Sequence, residues 1–211
     1  MVYGNPNRTL LPFLNTDSYL DSLLPELCSY PYPDVNSQEA VDEINELIKL
    51  TNQIADNEEA KKRFLLYDED FETYLINVMV NTGAASKEEV EGLVKDLHAD
   101  IIPMIVKLKY FYQRIRPIQL ALMFQMSMYP FKSSTADTPS YPSGHSIQSK
   151  IYCEVLGNKY PKFYKQLKAL SDNISDSRLY LGVHYPSDAT FSMYVCDVIL
   201  AHPEFKKKYK L

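Results

Sequence analysis

Three short segments of this chain gather the residue types that handle a tetrahedral oxyanion. In "KLKYFYQRIRP", Lys109 and Arg116 stand seven residues apart. Two helical turns would set both cations on one face. In "SYPSGHS", Pro142 and Ser143 precede Gly144 and His145. Ser suits a helix N-cap, and Gly just inside it bares the first backbone N–H groups, which is how a helix start receives an anion. In "SRLYLGVHYPSD", Arg178 continues the apolar stripe of Phe163, Leu167, Leu170 and Ile174. An Arg on a core stripe needs a counter-anion, because an unpaired buried charge is very costly. Gly182 ends that helix, His184 falls in the turn, Pro186 opens the next helix, and Asp188 sits one turn in. From there Asp188 can accept a hydrogen bond from the His184 ring, which fixes the tautomer and leaves the other nitrogen as a nucleophile. Each segment has a plainer reading alone: a basic amphipathic helix, an ordinary cap, an Asp complementing its own helix dipole. Together they make sense around one oxyanion.

In order, the segments read Lys-x6-Arg-Pro, Pro-Ser-Gly-His and Ser-Arg-x5-His-x3-Asp. This resembles the three-part signature of the type 2 phosphatidic acid phosphatase (PAP2) and vanadium haloperoxidase superfamily, over residues 105–205. The fuller "SYPSGH" and the short chain look most like the bacterial class A non-specific acid phosphatases, with Ser146 where those enzymes usually carry Thr. The resemblance implies a phosphomonoester hydrolase working through a phosphohistidine, without metal or cofactor. His184 is then the nucleophile, Asp188 orients it, and His145 is the general acid. Lys109, Arg116, Ser143, Gly144 and Arg178 hold the phosphate oxygens. Vanadate is expected as an inhibitor and a homodimer as the assembly. Two alternatives share the fold: a vanadium-dependent haloperoxidase, with vanadate as cofactor, and a non-catalytic phosphate-binding protein.

The elements that must carry these segments are helical. Residues 37–54 open on Ser37 with Glu39 close behind, which suggests a capping box. Residues 57–67 and 69–82 have the pattern of two short helices, and a long one starts near Ser86, with Pro103 expected to kink it and Pro117 to end it or begin the next. Further helices are expected over 118–128, 144–156, 160–180, 186–200 and 203–210, with a Pro/Ser/Thr-rich loop before Tyr141. Strand patterns are scarce. The expectation is an all-α, single-domain helical bundle over 1–211, with helices of unknown role in 1–85. The acidic run "DEDFE" at 68–72 is expected to be a solvated face, and "FKKKYK" at 205–210 a frayed helix end.

Composition narrows the partners. Hydrophobic residues make up 45% of 211, enough for a proper core. With 22 basic and 27 acidic residues the net charge is −5, so nothing global attracts nucleic acid or anionic membrane, and an anion site must be built locally. No apolar run approaches the roughly 20 residues of a membrane-spanning helix, and the N-terminal "MVYGNPNRTLLPFL" lacks the form of a signal peptide. The first points to a soluble protein, and the resemblance implies a small-molecule phosphomonoester as its substrate. Cys28, Cys153 and Cys196 lie far apart with no zinc-type spacing, which favours unpaired, inert thiols.

Overall fold

The computed structural model describes residue 6 and residues 8–211; the first residues of the stretch read for a leader lie outside the described residues. In chain order the elements are α1 (Leu11–Asn15), a 3₁₀ turn (Tyr19–Leu23), α2 (Leu24–Leu27), α3 (Gln38–Ala55), α4 (Glu58–Asn81) and α5 (Lys87–Tyr112). They continue with α6 (Pro117–Met123), α7 (Gly144–Lys159), a 3₁₀ turn (Pro161–Phe163), α8 (Tyr164–Tyr180), α9 (Pro186–Ala201) and α10 (Pro203–Tyr209). There is no strand among the described residues, and the expected all-α bundle is what forms.

Short polar side chains set where the helices begin. Ser37, Asn57, Ser86 and Ser143 each accept a backbone N–H from the first turn of α3, α4, α5 and α7. At α3 the position that would supply the reciprocal arm is Ala40, so the expected capping box is only half made. The two helices expected over 57–82 join as α4, broken at Asp70 (φ −160°, ψ 64°). There the Asp70 carboxylate accepts the Thr73 N–H at 3.0 Å and restarts the helix. Helix α5 runs on through Pro103, held by Ile101, Met104, Ile105 and Leu108, all buried.

The core lies where α7 packs along α8 and α9, with α3 and α4 both against α8 and α5 against α4 and α7. Leu97, Ile101, Ile147, Ile151, Leu167, Ile174 and Val195 are wholly buried in it. Each such side chain contributes about 1.5–3 kcal/mol. Cys153 and Cys196 are buried and unpaired, as expected of inert thiols, and burial pushes the Cys153 thiol up to about 12. The C-terminal basic run is not frayed. Phe205 and Tyr209 are buried in α10, and Asp100 accepts hydrogen bonds from Tyr209 and Tyr19 at 2.8 Å and from Lys208 at 2.7 Å. No helix among the described residues is long and apolar enough to cross a membrane.

Candidate active site

Helix α8 ends on Gly182, in the left-handed region at φ 72°. The Gly182 N–H bonds the Leu179 carbonyl at 2.9 Å and the Val183 N–H bonds that of Arg178 at 3.1 Å, a C-terminal cap that a glycine serves best. This turn delivers His184 into the interior, 2% exposed. Pro186 then starts α9, with Asp188 in its first turn. The His184 Nδ1 lies 2.8 Å from Asp188 Oδ2, and the same oxygen accepts the Tyr185 N–H at 3.0 Å. A carboxylate only accepts, so the ring proton sits on Nδ1 and Nε2 keeps its lone pair. That nitrogen faces Arg116 Nη1 at 3.0 Å. Burial, then the charges of Arg116, Lys109, Arg178 and His145, hold His184 well below the usual imidazole range.

Lys109 and Arg116 both reach this ring's surroundings, but not along one helix face as their spacing suggests. Helix α5 stops at Tyr112 with Gln113 left-handed (φ 51°), and Arg116 is the N-cap of α6. From there Arg116 donates to the Val183 carbonyl and to the Thr138 carbonyl, each at 2.7 Å. Lys109 Nζ donates to the Pro139 carbonyl at 2.6 Å, and burial followed by the Arg116 charge drives its ammonium well below the usual lysine range.

Arg178 has the buried counter-anion that its place on the core stripe demanded, and the chain supplies it. Its Nη1 pairs with Asp68 Oδ1 at 2.5 Å, while its buried Nε meets no acceptor among the described residues. Asp68 also accepts from the hydroxyls of Ser133 and Thr135, each at 2.7 Å. Although burial opposes it, Arg178 and these hydroxyls hold the Asp68 carboxyl below its ordinary range. The run at 68–72 is therefore a solvated face only in part, at the exposed Glu69 and Asp70. Asp68 is 1% exposed, and Glu72 accepts from Tyr152 at 3.0 Å and from Gln148 at 3.2 Å.

The third segment enters through a cis Tyr141–Pro142 peptide. Ser143 caps α7 as expected, its Oγ accepting from Ser146 N–H at 3.4 Å and from the Ser146 hydroxyl at 2.9 Å. Ser192 on α9 accepts the Ser143 N–H at 2.9 Å and donates to the Asp188 carbonyl at 2.7 Å, tying the two helix starts together. A methyl on Gly144 would meet Ile105 at 3.6 Å and Lys109 Cε at 3.9 Å, so Gly144 lies against the Lys109 side chain at ordinary contact distance. His145 is partly exposed, with Nε2 donating to the Asp68 carbonyl at 3.2 Å. Burial and the nearby Arg178 charge push His145 down to about 3.

All eight residues singled out in the sequence thus converge. Three that matter were not singled out. Asp68 pairs with Arg178, and Arg114 bridges Asp188 and Glu43 from wholly inside the protein. The need of Arg178 for a buried anion was legible, but nothing in the sequence pointed to Asp68 as its source. Arg114 and Glu43 carried no such signal, since one sat in a segment read as continuous helix and the other on a routine amphipathic one.

The all-α bundle thus sets a tethered histidine among buried lysine and arginine side chains. A family model described as the PAP2 superfamily matches residues 97–202, and the chain belongs to that superfamily. Among solved structures it is similar to "Crystal structure of the first transmembrane PAP2 type phosphatidylglycerolphosphate phosphatase from Bacillus subtilis". The TM-score is 0.56 at 18% identity, over 90% of this chain and 94% of that one, a likeness of fold. No curated protein matches the chain.

Proposed function

We propose that the chain is a phosphomonoester hydrolase that works through a phosphohistidine on His184, without a metal or cofactor. The observation that carries this reading is the buried His184 ring, with Nδ1 held by Asp188 and Nε2 turned toward Arg116. On this reading Nε2 attacks phosphorus in line, and the N–P bond forms as the bond to the leaving oxygen breaks. His145 gives that oxygen its proton, then takes one from the water that cleaves the N–P bond. A phosphate dianion beside His145 favours its cationic form and lifts it from about 3 toward the range of a useful acid. Lys109, Arg116, Arg178, the Gly144 N–H and Ser143 hold the non-bridging oxygens, so Arg178 must turn part of its fork from Asp68 to the substrate. Removing a well-placed donor of this kind costs about 10²–10³ in rate. The opposite protonation states of the two histidines give a bell-shaped pH profile, placed on the acidic side by likeness to class A acid phosphatases.

A second reading keeps the chemistry and changes the substrate to a lipid phosphate. It is favoured by the fold likeness to a phosphatidylglycerolphosphate phosphatase. Parallel assays with a chromogenic phosphomonoester and a dispersed lipid phosphate separate the two. The decisive experiment is an acid-labile phosphoenzyme trap on the wild type and His184→Ala. The variant should lose both turnover and trapped phosphate, and retained turnover removes His184 as nucleophile. Activity abolished by chelator would overturn the metal-free mechanism. Vanadate should inhibit hydrolysis, whereas halide oxidation by vanadate-loaded protein with bromide and peroxide would favour the haloperoxidase alternative.

A further inference from the structure

Asp188 is gripped on the side away from His184. Arg114 Nη1 donates to Asp188 Oδ1 at 2.6 Å and to the Ser187 hydroxyl at 2.7 Å, while Nη2 donates to Glu43 Oε2 at 2.9 Å. The second oxygen of Glu43 accepts the Ser187 N–H at 2.6 Å. Arg114 is wholly buried, Glu43 is 8% exposed, and the guanidinium lies 3.7 Å from the centre of the Tyr185 ring. This frame joins α3, the segment after α5 and the start of α9. A buried ion pair is weak evidence for stability, since desolvation cancels much of the attraction. Its effect on Asp188 is more specific.

We propose that Arg114, balanced by Glu43, is a positioning residue that sets how strongly Asp188 holds the His184 proton. The proposal rests on the phosphohistidine reading. When Nε2 bonds to phosphorus, the ring becomes a cation and its Nδ1 proton becomes more acidic. A strongly basic Asp188 would take that proton, and the phosphorylated ring would lose the positive charge that helps water cleave it. Arg114 shares the charge on Oδ1 and so weakens the pull of the carboxylate on the ring proton, which stays on the ring. Glu43 offsets part of the Arg114 charge, so that Asp188 still stabilises the imidazolium. The same fork fixes the carboxylate plane, which fixes the ring.

Charges face His184 from every side: Asp188 on α9, Arg116 at the α6 start, Lys109 on α5, Arg178 on α8 and His145 on α7. Asp188 in turn faces Arg114, with Tyr185 and Tyr32 nearby. The test compares Arg114→Gln and Glu43→Gln by two readouts: the acid limb of kcat/KM, and the His184 ring titration by NMR with nitrogen-labelled histidine, assigned through His184→Ala. Arg114→Gln removes a cation beside the His184–Asp188 pair and should raise the ring titration and the acid limb by about one pH unit or more. Glu43→Gln leaves Arg114 unopposed and should move both the other way. In both, kcat should fall about 10²-fold with KM little changed, because neither group touches phosphate. Opposite displacements support the proposal, and any other pattern overturns it, including rate loss with unmoved titration. Should Arg114→Gln not fold, a downward shift in Glu43→Gln supports the proposal, and no shift or an upward one overturns it. The ring titration needs no turnover, so this outcome is separate from the failure of the phosphohistidine reading, which shows as activity in His184→Ala.

Discussion

Burial and neighbouring cations hold His145 down to about 3 and lower the Lys109 ammonium well below the lysine range. A phosphate dianion placed among them reverses the balance and raises both. Near pH 5.5 inorganic phosphate is mostly the monoanion and brings its own proton, so the probe is sulfate, a tetrahedral dianion at that pH, whose binding should take up protons because the pH lies above the free His145 value. Calorimetry in buffers of different ionisation enthalpy reads this directly. Heats independent of buffer would show that the anion does not meet these groups. Asp68 gives a second test at this scale. It occupies Arg178 through a 2.5 Å ion pair, so a bound anion must compete with it. Asp68→Asn keeps the backbone carbonyl that His145 uses and removes the competing charge. Inhibition by phosphate should become about tenfold tighter, or 1.4 kcal/mol. Weaker inhibition would mean that Asp68 orients Arg178 for the substrate and does not oppose it.

The turn between α8 and α9 decides where His184 points, and Gly182 decides the turn. A Cβ there would come within 2.8 Å of both Met128 Cε and Thr51 Cγ2, on a backbone that side chains other than glycine rarely adopt. Gly182→Ala should cost about 1–3 kcal/mol and lower kcat, checked by thermal melts alongside kinetics. An unchanged melting temperature would show that α3 and the segment after α6 yield freely. Such local devices were largely legible. Apolar periodicity, caps and prolines located α3, α5, α7, α8 and α9 to within a few residues. Arg116 was misplaced because two helical turns and an interrupted helix give the same spacing, and nothing marks Gln113 as the point where the backbone reverses hand. Asp68 was misread because a run of acidic residues tells nothing about its neighbours until α4 is packed on α8.

Across the molecule, Arg114, Arg116, Arg178, Lys109, Asp68 and Asp188 are all buried, and both site histidines resist protonation in the folded state. The unfolded chain therefore binds more protons below about pH 6.5 than the folded one, and stability falls as pH drops from there toward the lowered folded values. Between pH 7 and 5 the loss from His145 should be about 1–2 kcal/mol, with His184 acting in the same direction, at about 2–4 °C in Tm for each kcal/mol. Added phosphate should restore much of it, and a melting temperature flat over that range would contradict the lowered histidines. The matched family region begins at residue 97, yet Glu43 and Asp68 come from before it. That dependence was invisible in the sequence because it is written in long-range pairings, Arg178 with Asp68 across 110 positions and Arg114 with Glu43 across 71. Its consequence is kinetic. Contacts so remote along the chain form late, after the loops between them have closed. During refolding the helices flanking the His184 turn can assemble while Arg178 and Arg114 still lack Asp68 and Glu43. A solution anion can stand in for Asp68 during that interval, so phosphate is a candidate folding ligand.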